Sequence, residues 1–120
     1  MRAETTLTGK TQFKLVYDKG RSWAAREIVL KTLPNGLDNT RYGLTVSRHV
    51  GKAVIRNKIK RRLREILRQE NLPAGWDIII IARNPAASAD YSTLGKSVDK
   101  LLNRAGLILG EHEGNSPGTD

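Results

Sequence analysis

Apolar positions recur with two different periods along this chain. Phe13, Val16 and Tyr17 stand at i, i+3 and i+4, so residues 8–19 read as a helix, with Gly20 as a suitable stop. Residues 22–33 contain a strand, most securely over Ile28–Leu33, and the turn cluster Pro34-Asn35-Gly36-Leu37-Asp38-Asn39 follows it. From Arg41 to Ser47 the period becomes two. Tyr42, Leu44 and Val46 alternate with Gly43, Thr45 and Ser47, as in a strand with one apolar face and one small, polar face. Residues 52–70 return to the helical period until Pro73-Ala74-Gly75 breaks it. Trp76–Arg83 is apolar on both faces through Ile78–Ile81, the pattern of a central strand covered on each side. Asn84-Pro85 ends that strand. The stripe Leu94, Val98, Leu101, Leu102 and Ala105 then predicts a last helix over 90–105, closed by Gly106.

The element order is α-β-β-α-β-α, with the first strand region open to splitting in two. Such mixing predicts an α+β fold, a two-layer sandwich of a small mixed sheet with helices. The unit over 41–83 is long enough for a crossover, so its two strands can be parallel. A chain of 120 residues, 38% of them hydrophobic, has room for one modest core. We place that domain at 1–109. Residues 110–120 lack an apolar pattern and are expected to be a disordered tail.

Composition narrows the chemistry. Apolar runs fall far short of the roughly 20 residues of a membrane span, so no membrane partner is expected. The N-terminus has no apolar segment resembling a secretory signal, and cysteine is absent, so a cytoplasmic location is the simplest expectation. Lys and Arg number 21 against 12 Asp and Glu, a formal charge of +9. That excess favours a polyanion, nucleic acid before an anionic membrane.

The charge is concentrated. Lys52, Arg56, Lys58, Lys60, Arg61, Arg62, Arg64 and Arg68 lie within residues 52–70, opposed only by Glu65 and Glu70. On a helix of 100° per residue, Ile55, Ile59, Leu63, Ile66 and Leu67 share an arc of about 120°. Asn57, Lys60, Arg61, Arg64 and Arg68 share another arc of about 100° on the other side. Apolar residues hold such a helix down while guanidinium forks and ammonium groups face phosphates. The alternatives are a merely solvated basic helix and a DNA-recognition helix. The latter needs a short helix before it, where this chain has a strand, so DNA is not the expected partner.

Catalytic constellations are missing. The carboxylates are scattered, without DxD, HExxH or paired spacing, and no P-loop is present. His49, beside Arg48, reads as a surface or RNA-contacting residue, and His112 lies in the tail. Trp23 and Trp76, near strand starts, read as core or rim more readily than as base-stacking groups. Neither catalytic residues nor a metal site is expected in the protein.

Lys52-Ala53-Val54-Ile55-Arg56-Asn57-Lys58-Ile59-Lys60-Arg61-Arg62-Leu63-Arg64-Glu65 resembles the signature of the bacterial ribonuclease P protein component. The resemblance extends over about residues 7–106. Phe13–Gly20 is similar to the family's first helix, Arg41–Ser47 to the strand before the basic helix, and Trp76–Ala86 to the strand and turn after it. It implies a protein subunit that joins a catalytic RNA to remove the 5′ leader from precursor tRNA, with Mg2+ bound mainly by the RNA. It also implies a left-handed βαβ crossover. The basic-motif positions Arg56, Asn57, Lys58, Lys60, Arg61 and Arg64, with Arg68 on the same ridge, would bind the ribozyme. Phe13, Tyr17, Val29, Lys31, Thr45 and Ser47 would form the leader-binding cleft. Lys31 stands where family members can carry an aromatic, which suits phosphate contact in place of stacking. The rival from another class is a purely structural RNA-binding protein, such as a ribosomal one.

Overall fold

The computed structural model describes residues 5–7 and 9–107. The boundary expected at 109 and the tail over 110–120 lie outside the described residues. Strand β1 (Thr5–Thr6) leads into helix α1 (Lys10–Lys19). Strands β2 (Arg21–Ala24), β3 (Ile28–Pro34) and β4 (Arg41–Val46) follow, then helix α2 (Ala53–Gln69), strand β5 (Trp76–Ala82) and helix α3 (Tyr91–Arg104). The strand region over 22–33, open to splitting in two on sequence, forms two strands, β2 and β3, which pair antiparallel, Trp23 opposite Leu30.

The sheet order is β1-β4-β5-β3-β2. β4 and β5 are parallel, Leu44 opposite Ile80, whereas β3 runs antiparallel to β5, Leu30 opposite Ile80. β5 is thus central, and its isoleucines divide by parity. Ile78 and Ile80 enter the main core with Ile28, Leu30, Tyr42 and Val46 under α2 and α3. Ile79 points to the other face, where it packs with Leu7 and Val16, and Phe13, Leu33 and Ile81 cover that cluster. Helices therefore lie on both sides of the sheet. The α1 side is the thinner layer and leaves part of the sheet open.

Handedness follows from one hydrogen bond. The Leu7 N–H donates to the Tyr42 carbonyl at 2.6 Å, so the Tyr42 backbone groups point toward the β1 edge. Its side chain points into the core beneath α2. For an L-residue seen from its side-chain face with the strand running up, the N–H and C=O point right. β1 is then on the right of β4 and β5 on its left, while α2 passes in front. The β4–α2–β5 crossover is left-handed, against the strong general preference for the right-handed form.

Local chemistry fixes the element ends. Asp90 caps α3 by accepting from the Thr93 N–H at 2.8 Å. Hydrogen bonding from Thr93, its backbone N–H first and its side chain second, with a smaller effect of the Arg62 charge, holds the Asp90 carboxyl below its ordinary value. Gly106 ends the same helix at φ +75, and the Leu107 N–H reaches back to the Leu102 carbonyl at 2.9 Å. Gly20 stops α1 for a different reason. Its backbone is extended, but a Cβ there would collide with the carbonyl oxygens of Val16 and Thr32. On the open face, Arg41 makes a two-pronged contact with Asp77, Nε to Oδ1 and Nη2 to Oδ2, both at 2.8 Å. Asn35 donates to the same carboxylate at 2.9 Å, and the pairing raises the Arg41 pKa. Arg41 and Asp77 are register partners, so this contact fixes the alignment of the parallel pair.

Candidate nucleic-acid interface

α2 presents two kinds of surface. Ile59, Leu63, Ile66 and Leu67 are buried, and Ile55 packs at the margin of the same cluster. Each such side chain contributes about 1.5–3 kcal/mol when fully buried, which holds the cationic side in a fixed orientation. Asn57, Lys58, Arg61 and Arg68 are exposed. The α2 cations take part in neither of the ion pairs, Lys14–Asp18 and Arg41–Asp77, formed among the described residues. A row of like charges costs a few tenths of a kcal/mol per i,i+4 pair, a cost that a bound polyanion offsets.

The other basic residues of α2 are less alike than the sequence suggests. Arg56 donates through Nε to the Gly51 carbonyl at 3.1 Å and braces the entry to the helix. Arg62 donates through Nη1 to the Ala89 carbonyl at 3.0 Å and ties α2 to the segment before α3. Lys60 and Arg64 are half-buried. They turn toward the β4 edge, where they line a cavity with Tyr42, Gly43 and Leu44. Leu7 and Phe13 close the same cavity from the α1 side. Helical geometry could have warned of this, since Lys60 lies only about 20° from the direction of Leu67.

The second candidate surface is the open face of the sheet. Val29, Ile81 and Thr45 form one row across β3, β5 and β4; Lys31, Ile79 and Gly43 form the next. Val29, Lys31, Thr45 and Ile81 are all half-exposed. Phe13 rests on Gly43, where a Cβ would run into the ring at Cζ. This accounts for a glycine inside an alternating strand. Tyr17 is 40% exposed, and the Lys31 ammonium lies 5.6 Å from its ring centroid. Ser47 lies just past the end of β4, and its hydroxyl accepts from the His49 N–H at 3.2 Å. The structure thus brings Phe13, Tyr17, Val29, Lys31 and Thr45 together on one face, with Ser47 at its rim. The exposed cations of α2 lie toward the opposite face.

Trp23 and Trp76 pack against the main core, and Arg21 covers Trp23 at 5.1 Å. His49 is exposed. Among the described residues, no three His, Cys, Asp or Glu side chains converge as metal ligands, and no helix is long and apolar enough to cross a membrane.

A cationic helix backed by a core, with a half-apolar open face on the reverse side of the sheet, is the layout of a basic α+β protein suited to a polyanionic partner. The Ribonuclease P family model matches residues 1–106. A ribonuclease P protein component of Caldanaerobacter subterraneus is 44% identical over 110 residues, covering 89% of this chain and 95% of that protein. One from Dehalococcoides mccartyi is 38% identical over the whole length of both chains. Among solved structures, the Staphylococcus aureus RNase P protein superposes with a TM-score of 0.80 at 34% identity, covering 88% of this chain and 98% of that one. The Thermotoga maritima RNase P protein gives 0.76 at 34% identity, covering 84% and 97%. This chain belongs to the ribonuclease P protein component family, and its role is in tRNA processing as part of a ribonuclease. Protein components of this family work with the RNase P RNA and a tRNA substrate, in a ribonucleoprotein enzyme that depends on magnesium.

Proposed function

We propose that this protein lends charge and shape to a catalytic RNA and supplies no reacting group itself. The exposed α2 ridge, with Asn57, Lys58, Arg61 and Arg68 outermost and Arg56, Lys60 and Arg64 beside them, docks on the ribonuclease P RNA. The 5′ leader of precursor tRNA lies as a single strand in the cleft between α1 and the sheet. Phe13 and Tyr17 offer rings to its bases, Val29 an apolar floor, and Lys31 a phosphate contact; Thr45 and Ser47 let its backbone approach. The observation that carries this reading is the separation of the two surfaces onto opposite faces of one sheet. A single rigid domain can then bind two RNA segments at once.

The donor set of the described residues does not suit magnesium. The described residues form no carboxylate cage, and the dominant charge is positive. Magnesium belongs to phosphate oxygens of the RNA, and the protein favours substrate binding by neutralising nearby phosphates. We place the holoenzyme in the cytoplasm.

The test is reconstitution. At low magnesium, the protein added to a bacterial ribonuclease P RNA should stimulate 5′ cleavage of precursor tRNA and should cleave nothing by itself. Cleavage by nuclease-free protein alone would overturn the assignment of catalysis to the RNA. An unstimulated RNA would favour a purely structural RNA-binding role.

A further inference from the structure

A second row of cations lies on the helical side of the sheet, away from α2. Contacts with α2 orient α3. Arg62 reaches the Ala89 carbonyl, Gln69 donates to the Tyr91 hydroxyl at 3.3 Å, and Ile66 packs beside Gly95. On the other flank of α3 the Ser97 hydroxyl donates to the Glu27 carboxylate at 2.6 Å, at the turn between β2 and β3. Gly95 and Ser97 stand about 200° apart on the helix, so one flank of α3 meets α2 and the other looks toward the β2 edge. Arg104 falls about 20° from Ser97, Lys100 about 60°, and Lys96 about 100°, on the outward face. All three are exposed.

Strand β2 adds to the same flank. Trp23 pairs with Leu30 and packs against the main core, so Arg21, two residues earlier, is on the α3 side of the sheet. Its guanidinium lies 5.1 Å from the Trp23 ring centroid. Arg26 is exposed at the hairpin turn. Among the described residues none of these five cations forms an ion pair. Of the nearby carboxylates, Glu27 is held by Ser97, and Asp99 lies about 40° from Gly95, on the α2 flank.

The helix itself does not account for the row. Attraction to the C-terminal dipole explains Arg104 in the last turn, but not Lys96 in the N-terminal half. Like charges at i,i+4 repel one another. A spacing of four residues sets successive cations about 6 Å apart along the axis, close to the separation of successive phosphates on a nucleic-acid strand. Arg21 covers Trp23, so this flank offers charge without a free ring. It can hold a backbone but not stack a base.

We infer that Lys96, Lys100 and Arg104, flanked by Arg21 and Arg26, form a third RNA surface that takes the phosphate backbone of the catalytic RNA without reading its bases. The inference rests on the RNA-binding reading above. The catalytic RNA is the occupant because α3 lies beside α2 in one layer of helices. An RNA docked on the ridge continues onto that layer, whereas the leader cleft is on the opposite face.

The test is a titration of the catalytic RNA with the full protein carrying Lys96→Gln, Lys100→Gln and Arg104→Gln together. These side chains are exposed and unpaired among the described residues, so urea unfolding should be little changed. If each cation neutralises one phosphate, the slope of log K against log salt should become shallower by about 2 to 3. Between about 50 and 200 mM salt the variant should then lose roughly 15- to 60-fold less affinity than the parent. Lys10→Gln, Lys14→Gln and Lys19→Gln, which remove three charges from α1, control for net charge and should change the slope far less. An unaltered slope in the α3 variant, or an equal change in the α1 variant, would overturn the surface. Weaker tRNA binding by the assembled holoenzyme, with catalytic-RNA binding unchanged, would overturn the assignment to the catalytic RNA. The ridge variant Lys58→Gln, Arg61→Gln and Arg68→Gln is measured alongside. If it too keeps the parent slope, the RNA-binding reading fails; if only the α3 variant does, this inference alone fails.

Discussion

Removing Lys58, Arg61 and Arg68 together tests whether the outer face of α2 touches phosphate. Glutamine is the suitable replacement, because its helix propensity is close to that of Lys and Arg. These side chains are exposed and bridge to nothing else among the described residues. Relief of like-charge repulsion should leave folding unchanged or slightly stronger. If each cation neutralises one phosphate, the slope of log K against log salt should become shallower by about 2 to 3. At roughly 1 kcal/mol per contact, the affinity for the catalytic RNA should fall by about 3 kcal/mol, near 150-fold. The assay is a filter-binding or anisotropy titration against the RNA at several salt concentrations. Arg62→Gln is the internal contrast. Its guanidinium is committed to the Ala89 carbonyl at 3.0 Å, so that change should lower stability and leave the salt slope alone. A triple variant with an unaltered slope, or an Arg62 variant that loses slope in its place, would show that the outer face of α2 is not the RNA surface.

The remaining predictions concern the cleft, the sheet and the caps. Phe13→Ala should weaken precursor tRNA binding by about 1–3 kcal/mol while mature tRNA is spared, as measured by holoenzyme affinities. Gly43→Ala should reproduce that selective loss by displacing the Phe13 ring, and equal losses for both tRNAs would make Phe13 a core residue only. Asp77→Ala removes the carboxylate that Arg41 and Asn35 share, and should cost about 3 kcal/mol by urea unfolding. The Asp90 carboxyl titrates below its ordinary value when folded, so its stabilisation is present above the unfolded pKa near 4 and is lost as pH falls through the lowered folded value. Asp90→Ala should therefore destabilise most at neutral pH, and the gap to the parent should narrow in acid; a pH-independent gap would contradict the cap.

Much of this architecture could be read from periodicity because the helices and β4 are amphipathic in their own registers and β5 is apolar on both faces. The Ile78–Ile81 run announced a strand covered on both faces, and the spacing of Leu94, Val98, Leu101 and Leu102 announced α3. β1 could not be read, because two residues have no period. The break between β2 and β3 could be suspected but not placed, since Ala25-Arg26-Glu27 contains neither Gly nor Pro. Gly20 was recognisable as a stop, yet the reason lies in the closeness of Thr32, a contact from another strand. Handedness depends on which edge of β4 faces β5, and side-chain patterns do not carry that information; only the family resemblance implied it.

The candidate site divides in the same way. The α2 ridge is local, so its residues could be listed from a helical projection. Their different roles could not be listed, because Arg56 and Arg62 are held by carbonyls outside the helix. Lys60 and Arg64 are turned by contact with an edge strand. The β4-edge cavity draws on residues 7, 13, 42–44, 60 and 64, which only the folded chain brings together.

The central claim is that opposite faces of one sheet meet different RNA segments. Lysine acetylation footprinting of the assembled particle tests it directly, because Lys58 lies on the α2 ridge and Lys31 on the open face. Lys58 should be protected once the catalytic RNA binds and should not respond further to substrate. Lys31 should stay reactive with the catalytic RNA alone and with mature tRNA, and become protected only with leader-bearing precursor. Protection of both lysines by the catalytic RNA alone, or protection of Lys31 by mature tRNA, would contradict the two-surface account.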